Sequence, residues 1–377
     1  MKHISQDNLN KITELRHLLH RYPDLSLNES GTIDILKGFL KENTGLEIVD
    51  KKGWFYTVKR SSGGPETALP IAFRAEMDAL PMDEGIEIPY GSVNKGVSHK
   101  CGHDGHMAAL CGLALELDKM RMDRTVYLIF QPAEEIGLGA SRCADLILEK
   151  GISEIYAFHN LSGHPENSII YRNDLTQPAS EGLTIRMCGK PSHASAPEEG
   201  VNPSAAIAEL ALFAKHLPDD PHEGAALCTI VGMQCGEGDF GISPGEGSIS
   251  VTLRAEQEHF MSEMEAKLLR KAAELSERDG LRTEHEIKDY FPETRNHDMA
   301  LDRVISKAAG LQLPVIEMNY LWRASEDFGC YLKLCPGAIF YIGNGEDHPA
   351  LHTEYYDFND DLLKSAVDLF LALAETE

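Results

Sequence analysis

The six residues Cys101-Gly102-His103-Asp104-Gly105-His106 constrain this chain more than any other stretch. They put a thiol, two imidazoles and a carboxylate together, with glycines that let the backbone turn tightly between them. A cysteine and a histidine two apart can reach one ion when the residue between them carries no side chain, and Gly102 carries none. The surroundings set the fold. Residues 69–75 read as a strand running into Phe73-Arg74-Ala75-Glu76-Met77-Asp78. After the motif, 105–119 reads as a helix whose buried face is Met107, Leu110, Leu113, Ala114 and Leu117. Thr125–Phe130 is continuously apolar, as a strand buried on both faces would be. A helix over 140–150 and a strand over Ile155–Phe158, ending at His159, continue the alternation. Strand, helix, strand in this order predicts an α/β fold with a central mixed, largely parallel sheet flanked by helices. Functional groups in such sheets gather at the carboxyl ends of the strands. Glu134, Glu135 and His159 follow two of them.

With 377 residues the chain exceeds the usual size of one core, so two domains are expected. Helical spacing marks 6–21 (Leu9, Ile12, Leu15, Leu19) and 30–43 (Ile33, Leu36, Leu40), and 52–60 reads as a strand. From about residue 181 the texture changes. Leu183–Met187 and Ile249–Arg254 alternate like half-exposed strands, while 203–217 and 257–279 read as helices. This predicts a smaller α+β domain over 181–289, inserted into a larger one made of 1–180 and 290–377. Ala338–Ile342 is a late strand of the larger domain and 359–375 its closing helix.

Thirty-five basic against sixty acidic residues leave a formal charge of −25, which repels nucleic acid and anionic lipid. No segment approaches the ~20 apolar residues of a membrane span. The polar N-terminus has no apolar core of a secretory signal. Eight cysteines without regular spacing suit reduced thiols, so the expected location is the cytoplasm.

Cys101, His103, Glu135, His159 and His352 supply enough ligands for two metal ions, one ligand bridging both. A thiolate among them favours zinc over magnesium, with manganese, nickel or cobalt tolerated by imidazole and carboxylate. On the irregular turn Gln131-Pro132-Ala133-Glu134-Glu135, adjacent carboxylates can diverge. Glu135 then goes to the metal, and Glu134 serves as general base toward water and later as acid toward the leaving amine. Taken singly, each residue has a plainer role: His159 a core histidine, His352 a loop histidine, Cys101 a buried apolar side chain, Glu134-Glu135 a solvated turn. Their joint presence with the cysteine motif outweighs those roles.

The chain resembles the M20 metallopeptidase family, in particular its amidohydrolases acting on indole-acetyl amino acids, hippurate and other N-acyl amino acids. The resemblance is carried by Leu19–Ser26, Phe73–Pro81, Cys101–Met107, Phe130–Glu135, His159, Gly189–Pro197, Ala324–Phe328 and Leu351-His352. It implies a di-metal catalytic domain with an inserted lid that often dimerises. It also implies that His193 stabilises the oxyanion, from the partner subunit in dimeric relatives. Arg254 would engage a substrate carboxylate, and Asp78 would hold the metal ligands in place from behind. Two departures bear on specificity: Ile136-Gly137-Leu138-Gly139 stands where relatives often have a glycine run, and Gly241-Ile242-Ser243-Pro244-Gly245 where many have Asn-Ile-Ile-Pro-Asp. The expected activity is hydrolysis of the amide of an N-acyl amino acid or related conjugate. A dipeptidase or aminopeptidase, or a silent metal-binding homologue, is the alternative.

Overall fold

A computed structural model of the protein describes residues 2–62 and 68–375. The chain divides into two compact units. The larger runs to Thr176 and takes up again over Thr294–Leu321 and from Glu326; the smaller comprises Gln177–Glu293 and Trp322–Ser325.

The larger unit is built on an eight-stranded sheet. Its spatial order is Glu47–Lys51, Trp54–Lys59, Val126–Gln131, Ile71–Glu76, Glu154–Leu161, Gly337–Gly343, Ile169–Tyr171, Val315–Glu317. The four central strands from Val126–Gln131 to Gly337–Gly343 run parallel, and antiparallel neighbours flank them. Every residue of Val126–Gln131 and Ile71–Glu76 is buried, as a strand covered on both faces must be. The helix expected from residue 105 starts two residues earlier, as His103–Lys119, with Gly102 left-handed at its N-cap (φ 91°). A Cβ on Gly102 would lie 2.3 Å from Asn160 Oδ1, so both conformation and close approach demand glycine. The stretch 140–150 is two short helices, Ala140–Cys143 and Asp145–Lys150. Gln6–Arg21 starts at an Ser5 cap that accepts the Asn8 N–H, and buries the stripe Ile12, Leu15, Leu19.

The smaller unit is a four-stranded antiparallel sheet in the order Ala226–Cys235, Glu246–Ala255, Ala179–Cys188, Arg282–Phe291. Sequence alternation revealed only the two central strands. The two outer ones are exposed along most of their length, so neither carries a clean apolar period. Leu183, Ile185, Met187, Ile249, Val251 and Leu253 form a core with helices Ser204–His216 and Glu258–Asp279. Glu181 continues the inward row of Ala179, Leu183 and Ile185 and is only 3% exposed. Burial, then the Glu265 carboxylate, push its pKa up to about 7. A raised carboxyl pKa means stability that is full below the unfolded value near 4.5 and is lost as pH rises through 7. Glu181→Gln is therefore expected to be more stable than the parent at pH 8, by on the order of 1–2 kcal/mol after solvent screening. Near pH 4.5 the two should match. Urea midpoints at both pH values check this, and an equal gap at each would reject it.

No helix among the described residues is long and apolar enough to cross a membrane.

Candidate metal centre

The exits of three neighbouring strands and one loop converge in the larger unit. Ile71–Glu76 leads to Asp78, Val126–Gln131 to Glu134-Glu135, and Glu154–Leu161 carries His159 in its last turn of chain. The loop after Gly337–Gly343 brings His352, whose N–H bonds the Lys100 carbonyl at 2.9 Å and whose φ is 59°. Cys101 and His103 enter from the motif at the start of the long helix.

Cys101 Sγ lies 3.3 Å from both His159 Nε2 and His352 Nε2. The ligand atoms of Cys101, His103 and His159 fall within 4.8 Å of one another, and so do those of Cys101, Glu135 and His352. Cys101 is common to both groups. His103 donates from Nδ1 to the Asp78 carbonyl at 2.8 Å, which aims Nε2 inward. That Nε2 is 3.8 Å from Glu134 Oε2 and from Glu135 Oε1. His352 Nε2 is 3.7 Å from Glu135 Oε2. His159 Nδ1 bonds the Asn160 carbonyl at 2.7 Å, fixing its ring likewise. Asp78 Oδ2 accepts the Glu135 N–H at 2.9 Å and the Ser26 hydroxyl at 2.7 Å.

Electrostatics fit the same use. Burial, then the Glu326, Glu135 and Asp327 carboxylates, drive Glu134 well above the usual carboxyl range. Burial raises Glu135 to about 7 against the opposing pull of His103. Burial, Glu135 and Glu134 push the Cys101 thiol up. Burial pushes His159 well down, seconded by His106, and His352 down, seconded by His103. His103 Nε2 and Glu135 Oε1 are buried without a hydrogen-bond partner. Unpaired polar atoms of this kind are costly. A thiol, three imidazoles and a carboxylate with inward-facing lone pairs would be satisfied by divalent cations, so the donor set fits metal ions.

His193 and Arg254 belong to the smaller unit. His193 is exposed on the two-residue strand Ser192–His193, paired with Ile242–Ser243. Its Nδ1 accepts the Ser195 N–H at 3.1 Å, and the Ser195 hydroxyl lies 2.7 Å away. Arg254 is half-buried, with one guanidinium nitrogen donating to the Arg323 carbonyl at 2.5 Å and lying 3.3 Å from Ser325 Oγ.

Sequence reasoning left several supporting groups without a role. His106 bridges Glu76 (3.0 Å) and Asn160 (2.7 Å), and Asn160 donates to Tyr356 at 2.6 Å. Arg74 is buried among Glu76, Glu326, Asp327 and Gln131. An arginine two residues from a glutamate inside a mostly apolar strand was the signal for that last group, because such a charge needs buried partners.

The fold and the site define a family. The chain belongs to Peptidase family M20/M25/M40, whose model matches residues 72–376. It is similar to N-acetylcysteine deacetylase of Bacillus subtilis, 28% identical over 97% of this chain and 96% of that protein. Hippurate hydrolase of Campylobacter jejuni is 29% identical over 96% and 95%. Among solved structures, the Bacillus subtilis YxeP protein, a dinuclear metal-binding peptidase from the M20 family, superposes with a TM-score of 0.81. It is 25% identical, with 98% of each chain covered.

Proposed function

We propose that this protein is a metal-dependent amidohydrolase that cleaves the amide bond of N-acyl amino acids or related small conjugates. The observation that carries the reading is the sharing of Cys101 between two ligand groups, with the buried carboxylate of Glu134 beside them. Cys101, His103, Glu135, His159 and His352 would hold two divalent ions, zinc first because of the thiolate, with manganese, nickel or cobalt as substitutes. When bound, such a pair polarises a carbonyl and makes water a nucleophile at neutral pH. Glu134 takes the proton from the attacking water and returns it to the leaving nitrogen. His193 supplies a donor to the oxyanion. Its Nδ1 is occupied as an acceptor, so the neutral ring carries its proton on Nε2. Arg254, its guanidinium steadied by Arg323 and Ser325, takes the substrate carboxylate. Asp78 keeps the His103 ring and the Glu135 backbone in register.

The smaller unit would also serve as a dimer face. Among the described residues, Ala226–Cys235 ends its sheet with one edge unpaired, and it exposes Val231 (64%) and Met233 (52%). Beside it, Leu212, Ala208, Ala211, Cys228 and Ile230 line a groove of about 600 Å³. An apolar edge of this length invites a second copy. Sedimentation equilibrium tests this; a monomer at tens of micromolar would reject it. We place the protein in the cytoplasm, on eight cysteines whose irregular spacing suits reduced thiols.

The functional test is amine release from a panel of N-acyl amino acids and dipeptides, on metal-stripped protein with and without zinc, manganese, nickel or cobalt. Turnover is expected only with metal and chiefly on acylated amino acids. Preference for dipeptides with a free amine would favour a peptidase, and silence across the loaded panel would remove the reading.

A further inference from the structure

The general base assigned above sits on a backbone turn that does not hold itself. Ala133, immediately before Glu134, is left-handed at φ 51° and fully buried. An L-residue rarely adopts that conformation without support from its surroundings. The turn is closed by Leu138 N–H to the Ala133 carbonyl at 3.1 Å and Gly137 N–H to the Glu134 carbonyl at 2.8 Å. Its entry is held from elsewhere. The Ala133 N–H donates to Glu29 Oε1 at 2.8 Å, more than a hundred residues away in sequence. Glu29 is 4% exposed and stands at the N-cap of helix Ser30–Asn43, yet its side chain makes no cap bond to that helix. The same short segment reaches the neighbouring strand exit. Ser26 Oγ bonds Asp78 Oδ2, and the Asp24 carbonyl accepts the Ala79 N–H at 2.8 Å.

We propose that Glu29 is a positioning residue for the Glu134-Glu135 turn, holding Ala133 left-handed so that the two carboxylates diverge as the chemistry needs. This rests on the reading of Glu134 as general base. Two acceptors, Glu29 on the Ala133 N–H and Asp78 on the Glu135 N–H, bracket Glu134 and leave its backbone one course to follow. Misplacing a catalytic group by about an ångström costs on the order of 10²-fold in rate.

The test compares Glu29→Leu, Glu29→Gln and the double variant Glu29→Leu/Ala133→Gly. The first readout is hydrogen exchange of the peptide covering residues 132–138 in metal-free protein, and the second is kcat and KM with metal restored. Glu29→Leu should speed exchange at the turn about tenfold and lower kcat by about 10²-fold with KM within twofold. Glu29→Gln keeps an acceptor at the same reach and should recover most of both losses. Adding Ala133→Gly should restore about tenfold in kcat, since glycine adopts the left-handed conformation without strain. Should Glu29→Leu not fold, Glu29→Asp, one methylene shorter, must show the same pattern at smaller amplitude. Parental exchange and kcat in a folded Glu29→Leu, or in Glu29→Asp, would overturn the proposal, as would a double variant no better than the single one. Exchange needs no turnover, so its outcome stands apart from whether Glu134 is the base.

Discussion

Glu134→Gln is expected to lower kcat by about 10²–10⁴-fold while metal content stays at the parental level. The substitution preserves volume in a site where Glu134 is 5% exposed, and removes the carboxylate proposed as general base. It should not destabilise the fold. Glu134 lies in the field of Glu326, Glu135 and Asp327, so a neutral amide relieves repulsion and the melting temperature should hold or rise. Loss of activity with unchanged or higher stability is the signature of a reacting group. Two other outcomes are informative. Loss of bound metal would make Glu134 a ligand, which its closeness to His103 and Glu135 permits geometrically. Parental turnover would remove the mechanism. Paired measurements of kcat, metal stoichiometry by emission spectrometry and thermal midpoint separate the three.

The largest effect on stability is expected at Arg74. Its guanidinium is fully buried and donates to Gln131 Oε1 at 2.9 Å, to Glu76, and to Glu326 Oε1 and Asp327 Oδ1 at 2.8 Å each. Burial already outweighs this one cation: Glu326 sits above the usual carboxyl range, and Asp327 is pushed up to about 7. Removing the arginine takes the cation from the buried carboxylates of Glu326 and Asp327 and leaves Glu76 to its histidine neighbours, and breaking a buried pair this way costs about 3–5 kcal/mol. The consequence reaches the site, because Asp327 also accepts the N–H groups of Gly139 and Ala140 at the far end of the Glu134-Glu135 turn. Arg74→Met should therefore lower the unfolding free energy read from urea titration by that amount and reduce metal retention. Arg74→Lys, which keeps the charge but loses the planar fork, should recover only part. An unfolding free energy within about 1 kcal/mol of the parent would mean that the carboxylates fold in neutral form and the network carries little.

Much of the site was legible because it is written in short, chemically unusual runs. Cys101–His106 and Glu134-Glu135 combine residue types that have no ordinary reason to be adjacent; the first opens a buried helix and the second follows a strand marked by a continuous apolar run. The helices over 6–21 and 30–43 were equally plain, since one face of each is buried and the other is wet. The late helix Asp298–Gly310 and the outer strands of the smaller sheet were not. A strand exposed on both faces along most of its length loses the alternation that betrays it.

By itself the sequence determined the α/β layering, the candidate donor residues and the strand ends that carry Glu134-Glu135 and His159, because periodicity and residue chemistry are local properties. Only the tertiary structure decided that one thiol is common to two ligand groups, that His103 turns Nε2 inward because Asp78 holds Nδ1, and that Glu29 reaches Ala133. Those facts join residues far apart in the chain. The hydrogen bond from residue 133 to residue 29 leaves no pattern in either neighbourhood, since a buried donor takes whichever acceptor packing brings to it.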